Sequence, residues 1–435
     1  MSPPAATRPD ARPTRPLALA EVLLGVLLPF SLAHFVSYLY RNVNTVVYPD
    51  LVRDIGLDAS GLGLLTGAYM GAFALAQLPV GMALDRYGPR RVQLPMLCVA
   101  ALGGLLFARA QSFEGLLVAR ALIGLGVSAS LMAAIKASSL WLPAHRLPLS
   151  TAVLLAVGGL GAMASTAPMQ WAIDTVGWRA GFVGIAAGAL AVAVLIAVRV
   201  PEHTASPSDT RLSDMVRSVG HIYCNGAFWR AAACTLMANG AYMAIQGLWL
   251  GPWLRDVGHL SRGDAAQVLF WGAAGMVAGS LAWGGLTDRL QRHRVRPVTV
   301  CGLGMLAFMV CQGLMLLPQS PGSATVLAVA LSVTGTACAM NYAIVAQTLP
   351  PQLTGRASTS FNLLIFLAAF GLQWGLGGVI GQWTPASDGS YPQAAYRAAW
   401  CLALVLQLPG ALLWLGQRPW QRAARHTPAH HETLA

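Results

Sequence analysis

Charge is what this chain lacks. Only 10% of its 435 residues are Asp, Glu, Lys or Arg, and Lys136 is the sole lysine. Soluble domains average roughly 25% charged residues. With 56% of residues hydrophobic, a water-soluble fold would expose more apolar surface than water tolerates, so lipid is the expected surrounding. CxxC spacing is absent as well. Of the seven cysteines, Cys98, Cys234, Cys301, Cys311, Cys338 and Cys401 lie inside apolar runs and read as small core residues, not as metal ligands or disulfides. The sequence shows no nucleophile–base arrangement, no metal-ligand cluster and no phosphate-cradling glycine loop. The expectation is no enzyme, no cofactor, no bound metal and no ATP-driven pump. The net charge of +12 does not point to nucleic acid, because the basic residues sit in short loops beside apolar runs, where they set membrane orientation.

Apolar runs, by contrast, are abundant. Crossing the hydrocarbon core takes about 20 residues of helix, and twelve runs qualify: 18–47, 60–84, 92–110, 115–140, 149–173 and 180–199, then 230–253, 265–286, 298–317, 324–348, 357–380 and 398–416. The expected fold is an all-α integral membrane protein with twelve transmembrane helices. Residues 1–16, rich in Pro and Arg, read as a disordered cytoplasmic tail, and the run from Leu17 is too long for a signal-peptide core. Residues 17–199 and 230–416 are expected to form two six-helix bundles. The polar stretch 200–229 is their cytoplasmic linker, and 417–435 is a second cytoplasmic tail. With both termini inside, cytoplasmic segments hold 19 Lys and Arg, and the opposite loops hold 5 (Arg53, Arg179, Arg255, Arg262 and Arg397). That asymmetry agrees with the positive-inside rule. YPDLVRDIGL (Tyr48–Leu57) and GPWLRDVGHL (Gly251–Leu260) follow the first span of each half. The halves therefore read as internal repeats, an architecture that places a binding site at the membrane midplane.

Between the second and third runs lies GMALDRYGPRR (Gly81–Arg91), echoed later by GGLTDRLQRHR (Gly284–Arg294). Asp85 falls at the end of a helix, where a carboxylate opposes the helix dipole and needs a partner. Gly88 permits a turn that a side chain obstructs, and Gly81 permits close helix packing. The stretch resembles the signature loop of the major facilitator superfamily, and the twelve runs, the linker and the weaker second copy extend the resemblance over nearly the whole chain. Ala83, Pro89 and Gln291 depart from the family pattern. The resemblance implies two pseudo-symmetric six-helix bundles that rock around a central site, in a membrane of the bacterial inner (plasma) type. It also implies a conformational latch of Gly81, Asp85, Arg86, Gly88 and Arg90, in which Asp85 faces the start of the eleventh helix near Ala357, with Asp288 and Arg289 as the second copy. RALIGLG (Arg120–Gly126) is similar to the family's helix-4 motif, which singles out Arg120 and Gly124. A buried arginine must be paired or solvated, and a structural tie between helices competes there with a functional role. GGLGAMASTAP (Gly158–Pro168) matches the antiporter motif of drug–proton exchangers only in part, since Met163 and Ala167 stand where that motif has glycines.

The first span carries a polar stripe. Ser31, His34, Tyr38, Arg41 and Asn44 or Thr45 recur at steps of three and four, so they share one helical face and should face protein or water. YLYRNVNTVVYPDL (Tyr38–Leu51) is similar to the organophosphate–phosphate antiporter branch, which implies that Arg41 binds an anion. The second arginine of that branch is absent, and Gln246 stands in the seventh span. A lone planar guanidinium suits a singly charged carboxylate. Further candidate substrate contacts are Asn239 and Tyr242 beside Gln246, Asn341 in the tenth span, Asn362 and Gln373 in the eleventh, and Lys136, which either lines the cavity or snorkels to the interface. No acidic residue falls mid-membrane. His34 is the best titrating candidate if protons drive transport; a helix-packing histidine, uniport and anion exchange stay open. The expectation is a monomeric secondary active transporter of a small organic solute, an anion or metabolite, in a lipid bilayer, with a coupling proton or counter-anion as a further partner. The alternatives are a proton-driven drug or siderophore exporter and, in another class, a non-transporting membrane sensor.

Overall fold

A computed structural model describes residues 19–143, 146–202, 212–346, 348–349 and 354–417. The expected N-terminal tail, all but Gln417 of the C-terminal one, and residues 203–211 of the linker lie outside these. The described residues form helices and connections, with no strand among them. Nine of the helices are long and apolar enough to cross a membrane, and ten if one bent pair counts as a span. One of the nine, Ala59–Arg109, has 51 residues. That is about 77 Å of helix, more than twice the hydrocarbon thickness of about 30 Å. It leaves helical geometry at Gly88 (φ 80°, ψ 166°) and is therefore two spans joined by the hairpin. A more polar rod of Gly226–Ala244, Ile245–Trp249 and Leu250–Asp256 completes the twelve.

In chain order the spans are α1 (Leu23–Asn42), α2 and α3 (the two parts of Ala59–Arg109), α4 (Phe113–Trp141), α5 (Leu149–Ala164 and Ala167–Val176, bent by 41°) and α6 (Trp178–Arg199). The second half has α7 (the rod 226–256), α8 (Arg262–Arg292), α9 (Pro297–Leu314), α10 (Pro321–Met340), α11 (Thr354–Ile380) and α12 (Gln393–Gly416). Short side chains at the starts satisfy the free N–H groups of the first turns. Asp58 accepts from Gly61, Ser112 from Gly115, Asn225 from Ala227, and Ser320 forms a capping box with Ser323. The linker contributes a short helix, Leu212–Tyr223.

The first span runs further than its apolar stretch. After Asn42 the chain continues as a helix, Asn44–Ile55, to Gly56 at φ 75°, so YPDLVRDI is helical and not a loop. Its charges are met by partners: Asp50 by Arg53 and Arg262, and Asp54 by Arg53, Arg179 and the Trp178 indole N–H. The matching GPWLRD is helical as well. Helix length here follows charge pairing between segments, which hydropathy does not register.

The two halves meet where α2 crosses α11 and where α5 meets α8. A Cβ on Gly63 of α2 would sit 2.6 Å from the Gln373 carbonyl oxygen on α11, so that crossing requires glycine. On the face opposite the Gly81–Arg91 hairpin, polar contacts cross between the halves. Arg262 pairs with the buried Asp50. Arg255 donates to the Tyr48 hydroxyl (3.0 Å), Thr45 Oγ1 to the Gly247 carbonyl (2.9 Å), and the Ala59 N–H to the Tyr391 hydroxyl (3.1 Å). The two repeated stretches thus face each other.

Candidate functional site

Arg41 projects from the last turn of α1 into the middle of the molecule. Three rings surround its guanidinium, with centroids at 4.7 Å (Tyr38), 5.3 Å (Phe73) and 5.1 Å (Phe366). Phe73 of α2 and Phe366 of α11 stack on each other at 4.2 Å, so each half supplies one ring. Arg41 Nε is buried without a hydrogen-bond partner. Beside it lies a cavity of about 70 Å³. The first half lines it with Tyr38, Arg41, Asn42, Thr45, Met70, Ala162 and Thr166, and the second with Tyr242, Met243, Gln246, Gly247, Leu269, Ala273 and Met276. Gln246 and Gly247 belong to a π-helical segment, Ile245–Trp249. Such widened turns are frequent at functional sites.

Of the residues predicted to bind substrate, Tyr38, Arg41, Tyr242 and Gln246 are brought together in this cavity. His34 is buried behind Tyr38, edge-on to its ring at 5.1 Å. It lies against α5, where a Cβ on Gly158 would come within 2.8 Å of it, and neither ring nitrogen has a hydrogen-bond partner. Asn239 and Asn341 serve as helix ties. Asn239 donates to the Thr235 and Cys338 carbonyls, and Asn341 to the Ala231 carbonyl (2.9 Å), fastening α7 to the α10 region. Asn362 accepts from the Tyr342 hydroxyl (2.6 Å) and donates to Gln77 (3.2 Å), a bridge between the halves. Gln373 is fully buried and its side-chain amide is unpartnered. Gln77, Tyr342 and Ser332 are polar interruptions in apolar runs and were visible as such. Phe73, Phe366 and the methionines carried no signal, because apolar residues in an apolar span are the default.

Lys136 corrects the sequence expectation. It neither lines the cavity nor snorkels alone: its Nζ donates to Asp85 Oδ1 at 2.8 Å. An ion-pair partner of Asp85 is therefore the lone lysine, on α4 of its own half. The other hairpin charges are also tied within that half. Arg90 donates to the Ala197 carbonyl at the end of α6 (2.6 Å), Arg91 pairs with Glu202 (3.1 Å), and Arg86 lies over the Tyr87 ring. Because Asp85 is more than half exposed, its pair contributes under about 1 kcal/mol. The backbone carries more: Gly88 occupies a region that only glycine enters readily, and a Cβ there costs about 1–3 kcal/mol. Gly88→Ala is accordingly expected to lower the melting temperature of the purified protein by several degrees, measured by differential scanning fluorimetry; an unchanged melt would contradict it. In the second copy Asp288 and Arg289 are exposed, and the left-handed position falls on Arg294 (φ 63°), three residues beyond Gln291.

Arg120 is completely buried. Its Nη1 donates to the Tyr40 carbonyl at 2.8 Å, and the guanidinium lies over Tyr69 (5.3 Å) and Phe107 (5.8 Å). It ties α4 to α1. Gly124 lets α4 approach α2, since a Cβ would fall 2.3 Å from the Tyr69 carbonyl oxygen. Both motif residues hold helices together and lie outside the cavity lining.

Two helical halves packed around a central basic cavity define the class: helical membrane proteins of transporter architecture. The chain belongs to the Major Facilitator Superfamily, whose sequence profile matches residues 30–372. It is similar to the hexuronate transporter of Escherichia coli K12, at 27% identity over 248 residues, or 52% of this chain and 54% of that one. It is also similar to the probable sulfoacetate transporter SauU of Cupriavidus necator, at 26% over 177 residues (41% and 40%). The chain thus spans about half the length of these relatives or less. A longer match, 22% over 389 residues (83% and 84%), joins it to the probable L-galactonate transporter of E. coli K12. The fold agrees with that of a bacterial homolog to the human lysosomal transporter Spinster in an inward-facing, unoccupied conformation, with a TM-score of 0.76, 18% identity, and coverage of 94% of this chain and 100% of that one.

Proposed function

We propose that the protein is a secondary active transporter of small organic anions, working by alternating access in a bacterial-type inner membrane, with both termini and the Gly81–Arg91 hairpin on the cytoplasmic side. The observation that carries this reading is Arg41, a cation at the junction of the two halves with no carboxylate among the cavity-lining residues. A guanidinium offers a carboxylate two parallel hydrogen bonds, and a cavity lined by no acid disfavours organic cations. The relatives named for hexuronate, L-galactonate and sulfoacetate all take organic acids by name, which supports this reading over drug export. The surplus of Lys and Arg on the hairpin side supports the orientation.

The test is uptake into proteoliposomes from a panel of labelled carboxylates, their neutral methyl esters, and cationic dyes. Saturable uptake of at least one carboxylate, with no uptake of its ester, is expected. Transport confined to the esters or dyes would overturn the reading.

A further inference from the structure

One wall of the cavity beside Arg41 is apolar. Met70 of α2, Met243 of α7 and Leu269, Ala273 and Met276 of α8 form it. Several of the lining polar groups are already committed to the protein. Thr45 Oγ1 donates to the Gly247 carbonyl and Thr166 Oγ1 to the Met163 carbonyl. Gln246 Oε1 accepts from Ser332, and the Tyr242 hydroxyl reaches the Ser332 carbonyl at 3.4 Å. Of the three rings around the guanidinium, Tyr38 lines the cavity and adds further apolar surface. A carboxylate held by Arg41 would therefore have its body among the Tyr38 and Tyr242 rings, thioethers and methyl groups. Aromatic rings pair favourably with other rings and with methionine sulfur. Hydroxyls buried there without partners would be penalised.

Resting on the anion reading above, we propose that the substrate is a monocarboxylate with a flat apolar body, an aryl carboxylate, and not a polyhydroxylated acid of the kind named for the relatives. Benzoate and D-glucuronate serve as probes, titrated against the melting temperature of the purified full-length protein and of the Arg41→Gln and Met243→Gln/Met276→Gln variants. Benzoate is expected to bind wild type at least tenfold more tightly than glucuronate. Arg41→Gln should abolish its binding. The double methionine variant should weaken benzoate about tenfold while leaving glucuronate unchanged or tighter, and it keeps the test open should Arg41→Gln fail to fold. Tighter binding of glucuronate that disappears in Arg41→Gln would overturn the aryl inference and leave the anion reading standing. Benzoate and glucuronate binding that both survive Arg41→Gln would overturn both. Failure of benzoate to bind wild type would overturn the aryl inference.

Discussion

Arg41→Gln is expected to lower kcat/KM for anion uptake by at least 100-fold without unfolding the protein. Removing one member of a desolvated charge pair costs about 2–5 kcal/mol, or about 30-fold to several thousand-fold at 1.4 kcal/mol per decade. The upper part of that range applies because no second cation lines the cavity to take over the substrate's charge. Stability should respond in the opposite sense. In the substrate-free protein no carboxylate pairs with Arg41 among the described ion pairs. Its environment is three ring faces, the Tyr69 hydroxyl and a buried, unpartnered Nε. Cation–π contacts of about 0.5–2 kcal/mol offset only part of such a desolvation, so the glutamine variant should melt no lower than wild type. Arg41→Lys should recover only part of the activity, because an ammonium cannot reproduce the planar fork. Initial uptake rates in proteoliposomes, paired with melting curves, separate the two effects. Wild-type uptake by Arg41→Gln would remove the arginine from the site.

Arg262→Ala is expected to shift the protein about 30-fold toward conformations open on the face opposite the hairpin. Arg262 of the second half pairs with Asp50 of the first and also donates to the Val46 carbonyl. Asp50 is only 4% exposed. Breaking a buried pair by removing one partner costs about 3–5 kcal/mol. Arg53 remains beside Asp50 at 3.1 Å but is largely exposed, so about 2 kcal/mol is the discounted figure, equal to about 30-fold. The effect falls on the conformational equilibrium, since the pair exists only while the halves touch on that face. Asp50→Asn combined with Arg262→Gln should restore most of the wild-type distribution, because no uncompensated charge is left buried. The reporter is a cysteine at position 45, in a background with the seven native cysteines replaced, labelled from outside by a membrane-impermeant maleimide. Labelling rates that ignore both substitutions would exclude Asp50–Arg262 as a closure.

The succession of spans, the repeat and the family could be read directly because each rests on local chemistry. Twenty apolar residues make a span wherever they occur, and GMALDRYGPRR marks its hairpin by its own residue types. Gly88 was legible for the same reason, as the positive φ belongs to one residue. Arg41 stood out as a charge in an apolar run. Its rings did not, since Phe73 and Phe366 are 293 positions apart and ordinary in their own helices. Lys136 was misplaced because depth along a helix does not say which neighbour a long side chain reaches, and Asp85 lay within its reach.

The sequence by itself determined that the chain lives in lipid, that it crosses many times, and that a cation sits among its spans, because the cost of placing a charge or an open backbone group in hydrocarbon is set residue by residue. Only the tertiary structure decided what those polar residues do. It turned Asn239, Asn341 and Arg120 into helix ties, paired Lys136 with Asp85, set Asp50 against Arg262, and left Arg41 facing an apolar wall. Those outcomes depend on which helices touch, and helix contacts are made by small residues such as Gly63 and Gly124, whose partners lie in other helices.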